Sequence, residues 1–170
     1  MGEIIDGTLY VHPRPRAGHT DILSGLLTEI RGPFQHGRGG PGGWWIHAEP
    51  GIRVGGSPEF VPDLAGWRRE RAPRGVPDGS WSIAPDWACE ILSPSKRGYD
   101  QRIKRPFYAR IGIRHLWFID LESRTLTASE LRDGGWWELG VYGEDDVVRV
   151  APFDAIELRL GELWPIIDTR

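Results

Sequence analysis

A chain of 170 residues, 39% hydrophobic and 26% charged, suits one compact globular domain. Its net charge of −3 excludes a global field that would draw the protein onto nucleic acid or an anionic membrane, so any polyanion must meet a local patch. The single cysteine, Cys89, excludes an intrachain disulfide framework, and no apolar run approaches the ~20 residues of a membrane span.

Glu3 to Val11 reads as a hairpin turning at Asp6-Gly7, followed by a proline-rich loop over 12–18. Near Thr20 the pattern changes. Ile22, Leu23, Leu26, Leu27 and Ile30 recur at helical spacing, with Gly32-Pro33 as the expected stop. Positions 35–43 are glycine-rich and read as a mobile loop; the Gly-Lys-Ser/Thr ending of a phosphate-binding loop is missing. Strands are expected over 44–48, 52–54 and 59–67, the last containing Asp63. A basic run, Arg68, Arg69, Arg71 and Arg74, comes next and is the best local candidate for phosphate contact.

Trp87, Ala88, Cys89, Ile91 and Leu92 form an apolar run with one acid, Glu90, in its middle, as in a strand covered on both faces. A carboxylate is costly to bury without a partner or a metal. Ser93-Pro94-Ser95 breaks the strand and suits a helix start. Asp100, Lys104 and Tyr108 then share one helix face at spacing i, i+4, i+8. We read Asp100 as the ion-pair partner of Lys104 and Tyr108 as core packing. His115 to Ile119 is a second buried strand. Segments 125–131 and 135–139 form a hairpin around Asp133-Gly134. A β-prone segment over 147–160 closes the sheet. The order predicts a single α/β (α+β) domain with a mixed sheet over residues 1–170.

If the strands carrying Asp63 and Glu90 pair, both carboxylates reach one end of the sheet. Two such oxygens suit a hard divalent cation, Mg²⁺ or Mn²⁺, and Lys104 on the next helix would lie beside it. The five histidines show no zinc spacing, and no Gly-x-Ser-x-Gly elbow is present. Asp86 reads as a turn or capping residue and Glu49 as a strand-end acid.

The chain resembles the Uma-two family of restriction-endonuclease-like proteins, a branch of the PD-(D/E)XK nuclease superfamily. The resemblance is carried by EIIDGTLYV at 3–11, His19, EPGIRV at 49–54, VPDLAGWRRER at 61–71 and APDWACEILSPS at 84–95. D-x-x-x-K-x-x-x-Y at 100–108, GIRHLWFID at 112–120 and APFDAIELRLGELW at 151–164 complete it. It implies a restriction-endonuclease-like mixed sheet flanked by helices. It also implies a Mg²⁺-dependent DNA endonuclease in which Asp63 and Glu90 hold the metal and Asp63, Glu90 and Lys104 carry catalysis. The superfamily's Glu-x-Lys lysine would fall on Leu92, so its role passes to Lys104. Ile91 would offer its backbone carbonyl.

Two rival readings stand beside it. One is a nuclease-fold module that binds nucleic acid or a protein partner without cutting. The other is a structural subunit of an oligomer, for which the doublets Trp44-Trp45 and Trp136-Trp137 offer a stacking or subunit surface. Cutting both strands of a duplex would favour a two-fold homodimer. No membrane partner is expected. The N-terminus lacks the pattern of a signal peptide, so the cytoplasm is the expected compartment.

Overall fold

The computed structural model describes residues 2–11 and 16–166. Most of the expected proline-rich loop lies outside the described residues. β1 (Gly2–Ile5) and β2 (Thr8–Val11) pair antiparallel across Asp6-Gly7. Both turn residues have positive φ, which is why an Asp-Gly pair sits there.

α1 (Ala17–Gln35) buries Ile22, Leu26, Ile30 and Phe34, one stripe at helical spacing. It starts earlier than Thr20 and runs past Gly32-Pro33. The freed carbonyls near the end find other donors. Arg31 accepts from the amide of His36, Gly32 from Arg38 and Pro33 from Gly42. The glycine-rich loop is therefore hydrogen-bonded back onto the helix end. Gly40 packs so close to Pro33 that a β-carbon there would lie 2.5 Å from the proline ring.

The main sheet has six strands in the order β3-β4-β5-β6-β7-β8. They are β3 (Trp44–Ala48), β4 (Leu64–Arg68), β5 (Trp87–Leu92), β6 (His115–Asp120), β7 (Thr125–Arg132) and β8 (Gly135–Gly143). Only β5 and β6 run parallel; every other neighbour pair is antiparallel. A parallel pair needs a crossover, supplied here by a broken helix: α2 (Arg97–Tyr99), a π-helical turn (Asp100–Lys104) and α3 (Arg105–Arg110). Pro106, which has no amide hydrogen to give, falls in the first turn of α3, directly after the π turn.

Three segments differ from expectation. Ile52 makes only isolated bridges, to Phe60 and Trp81, so 52–54 is not a strand. β4 begins after Asp63, because Pro62 cannot donate to a ladder. The 147–160 segment does not join the sheet. β9 (Val147–Val148) and β10 (Leu158–Arg159) pair with each other, and a 3₁₀ turn (Leu160–Glu162) follows.

Every residue of β5 is buried, and its alternate side chains enter two separate cores. Trp87, Cys89 and Ile91 face α1 and the C-terminal segment, with Trp44, Trp117 and Phe153 in a tilted and edge-to-face aromatic cluster. Ala88 and Leu92 face the crossover helix and the β1–β2 hairpin, with Ile5, Phe60, Trp67, Phe107 and Tyr108. Glu90 lies between Ala88 and Leu92 in sequence, so strand alternation sends it toward this second core.

Candidate active site

Leu64 pairs with Cys89, so Asp63, one residue earlier, comes level with Glu90 on the neighbouring strand. The crossover helix brings Lys104 over the same spot. Its Nζ lies 3.1 Å from both carboxylate oxygens of Glu90. Asp63, Glu90 and Lys104, far apart in sequence, thus share one end of the sheet.

Two side chains complete the surroundings of Lys104 and Glu90. The ammonium also donates to the carbonyl of Val61 at 3.1 Å and approaches Oε1 of Glu3, from β1, at 3.2 Å. The hydroxyl of Tyr108 donates to Oε1 of Glu90. Tyr108 is therefore a polar partner as well as core. Its helical phase to Lys104, the i, i+4 spacing visible in the sequence, is what aims both at one acid. Asp100 does not pair directly with Lys104 among the described contacts. A π turn closes at i+5 rather than i+4, and the ammonium turns to Glu90 and Glu3 instead.

Asp63 is held differently. Its Oδ2 accepts the backbone amide of Ile91 at 2.7 Å, and Nε2 of His19, from α1, approaches the same oxygen at 3.1 Å. That approach is too bent for a good hydrogen bond, and Nδ1 of the same buried ring has no hydrogen-bond partner among the described residues. His19 and Glu3 lie in motifs the sequence marks, yet nothing in the sequence alone gives them a role. Each needs a tertiary contact to acquire one.

The electrostatics follow from burial opposed by charge. Burial pushes the Asp63 carboxyl up, but His19, the Lys104 charge and the Ile91 amide outweigh it and hold the pKa below the usual value. Burial works against the Lys104 ammonium too. The carboxylates of Glu90, Glu3, Asp63 and Asp100 reverse the balance and raise its pKa, so the lysine stays charged. Glu90 is pushed up by burial and by the charges of Asp63 and Asp100, against the pull of Lys104 and Tyr108. Asp100 is pushed up to about 7, chiefly by burial.

Access is narrow. Glu90 is 1% and Lys104 4% exposed, whereas the Asp63 side chain keeps 13%. Among the described residues, no group of three or more His, Cys, Asp or Glu is placed to hold a metal ion. The donors that are present fit Mg²⁺ or Mn²⁺ rather than zinc. They are two level carboxylates, hard oxygen donors, and Mg²⁺ takes one or two carboxylates with its remaining positions filled by water. A cationic group already rests against Glu90 in the form of the lysine.

Within the basic run, Arg69 and Arg71 are engaged by the fold, while Arg68 and Arg74 stay exposed. Arg69 donates to the carbonyls of Trp44 and Gln35 and stacks on Trp45. Arg71 pairs with Asp86, whose other oxygen accepts the Arg68 amide, a turn role. Glu49 is exposed at a turn with positive φ. Of the tryptophan doublets, Trp44 is core, Trp45 and Trp136 are half-buried, and Trp137 is 60% exposed.

A mixed sheet with its single parallel pair at the centre, and an acid–acid–lysine cluster at one end of that pair, defines a nuclease-type α+β domain. The chain belongs to the Uma2 family, described as "Putative restriction endonuclease", whose model matches residues 2–161. Among solved structures it is similar to a crystal structure titled a "putative nuclease belonging to DUF820", from Anabaena variabilis ATCC 29413. The two are 25% identical with a TM-score of 0.75, over 96% of this chain and 89% of that one. No curated protein matches the chain. None of the described helices is long and apolar enough to cross a membrane.

Proposed function

We propose that the protein is a Mg²⁺-dependent DNA endonuclease, acting in the cytoplasm, with Asp63 and Glu90 as metal ligands and Lys104 as the charge that meets the phosphate. The observation that carries this reading is the level pairing of Asp63 and Glu90 with Lys104 3.1 Å from Glu90. A bound Mg²⁺ or Mn²⁺ would supply Lewis-acid polarisation of the phosphate and activation of a water. The chain's own residues do the rest. The Ile91 amide holds Oδ2 of Asp63, with the His19 ring 3.1 Å from the same oxygen, which leaves Oδ1 as the oxygen to present. Lys104 acts as a donor to developing negative charge, its ammonium held beside the site by Glu90, Glu3 and the Val61 carbonyl. Family membership and the similar nuclease structure support the same chemistry.

The test is nicking of supercoiled plasmid in Mg²⁺. Wild type is expected to nick, and Asp63→Ala and Lys104→Ala to fall by roughly 10²-fold or more. Equal rates in all three would remove the assignment. Nicking of one strand at a time by a monomer, or paired cuts by a homodimer, is read from the same gel with sedimentation at the assay concentration.

A second reading, a nuclease-fold module that binds nucleic acid without cutting, is favoured by the burial of Glu90 and Lys104. Its outcome is a salt-sensitive DNA shift in Ca²⁺ with no cleavage in Mg²⁺ or Mn²⁺.

A further inference from the structure

We infer that Glu3, carried in by the β1–β2 hairpin, is a positioning residue that takes the Lys104 ammonium when Glu90 turns to a divalent cation. The inference rests on the endonuclease reading and deepens it.

Both oxygens of Glu90 face Nζ of Lys104 at 3.1 Å. A cation that binds Glu90 must displace the lysine from at least one of them. An ammonium set free in that volume would be a buried, uncompensated charge, which proteins do not tolerate cheaply. Glu3 removes the difficulty. Its Oε1 already lies 3.2 Å from Nζ, and the Val61 carbonyl holds the lysine from another side at 3.1 Å. The ammonium needs only to shift its weight from Glu90 to Glu3, staying inside the site and beside the phosphate position.

Glu3 is built for a fixed task. Its Oε2 accepts the Val61 amide at 3.3 Å, and its charge helps to raise the pKa of the neighbouring Tyr99 hydroxyl. The Tyr99 ring packs on Tyr10 of β2 at 4.5 Å and stands 5.7 Å from the Lys104 ammonium. Ile5 of the same hairpin is anchored in the core below. The hairpin therefore delivers one carboxylate to one lysine, and Val61, two residues before Asp63, links that carboxylate to the metal side of the cluster.

The test is a double-mutant cycle read by calorimetric Mn²⁺ binding, with no turnover required. The four proteins are wild type, Glu3→Gln, Lys104→Gln and the double variant. Glutamine keeps an acceptor for the Val61 amide. Glu3→Gln is expected to weaken Mn²⁺ binding by about 10–100-fold, the usual effect of removing a group that supports a ligand. In the Lys104→Gln background the same change is expected to do almost nothing, because the lysine it acts through is gone. An equal loss in both backgrounds would mean that Glu3 meets the cation directly, and no loss in either would mean that it plays no part; both overturn the inference. Should Glu3→Gln not fold, the ¹⁵N signal of the Lys104 ammonium in wild type decides. Slow hydrogen exchange retained on Mg²⁺ binding supports the transfer to Glu3, and release to fast exchange overturns it. Wild type that binds no Mn²⁺ defeats the endonuclease reading itself. Binding that depends on Asp63 but shows no Glu3–Lys104 coupling defeats this inference alone.

Discussion

At Asp63 the described contacts all fall on one oxygen, and that asymmetry makes His19 matter. The Ile91 amide bonds Oδ2 and the His19 ring stands 3.1 Å from it, so a swing of the carboxylate would break that bond and meet the ring. His19→Ala is expected to weaken Mn²⁺ binding by about 10–100-fold, with partial recovery in His19→Gln; unchanged calorimetric affinity in His19→Ala would count against it. Asp100 offers a test by pH. Its carboxyl ionises at 3.8 in the ordinary case but only near 7 in the folded protein, because burial disfavours the charge. Ionisation then costs stability as pH rises from the lower value to the upper, and no further cost accrues above it. Melting curves of Asp100→Asn are expected to match wild type near pH 4, to lie progressively higher toward pH 7, and to keep a constant gap beyond. Single residues were unevenly legible in the sequence. Glu90 stood out because a charge interrupts an apolar run, and Lys104 because it shares a helix face with Tyr108. Glu3 and His19 did not, since each sits in an ordinary amphipathic context and gains its partner from a segment about 40 to 100 residues away.

Among the elements, the crossover helix shows how a local rule and a tertiary demand combine. The π turn before Pro106 was not visible in the sequence, because an extra residue in a turn leaves no periodic trace over so short a stretch. The β9–β10 pair was missed for a related reason. β-propensity reports fit to a pleated surface and says nothing of which strand will be the partner. β4 carries a sharper constraint. Gly66 lies between two indoles, and an added β-carbon would meet Trp44 at 3.2 Å and Trp87 at 3.3 Å. Both rings are fixed by the aromatic cluster on the α1 side of the sheet. Gly66→Ala is expected to lower stability by about 1–3 kcal/mol in urea unfolding, the usual range for overpacking. A change within error would show that the indoles yield.

Across the whole molecule, the central strand divides the interior into two unlike halves. The α1 side is apolar and rich in aromatic rings, and the crossover side admits a polar cluster at one end. The architecture was legible because nearly every strand announced itself by apolar patterning; the closeness of the polar cluster was not, because packing of the hairpin against the crossover helix is a long-range event. One consequence follows from the ammonium seated among acids. Proteins that fold around a metal leave mutually repelling ligands when it is withdrawn, and they melt. Here the lysine serves as a resident counter-ion between Glu3 and Glu90, so part of the repulsion among the acids is already offset by the chain itself. Exhaustive dialysis against a chelator is expected to leave wild type folded, with a cooperative melt shifted only by the lost binding energy, and restored Mg²⁺ is expected to raise the melting temperature of Lys104→Gln more than that of wild type. Loss of the cooperative wild-type melt on chelation would show that the lysine does not fill this place, and that the scaffold itself depends on a borrowed charge.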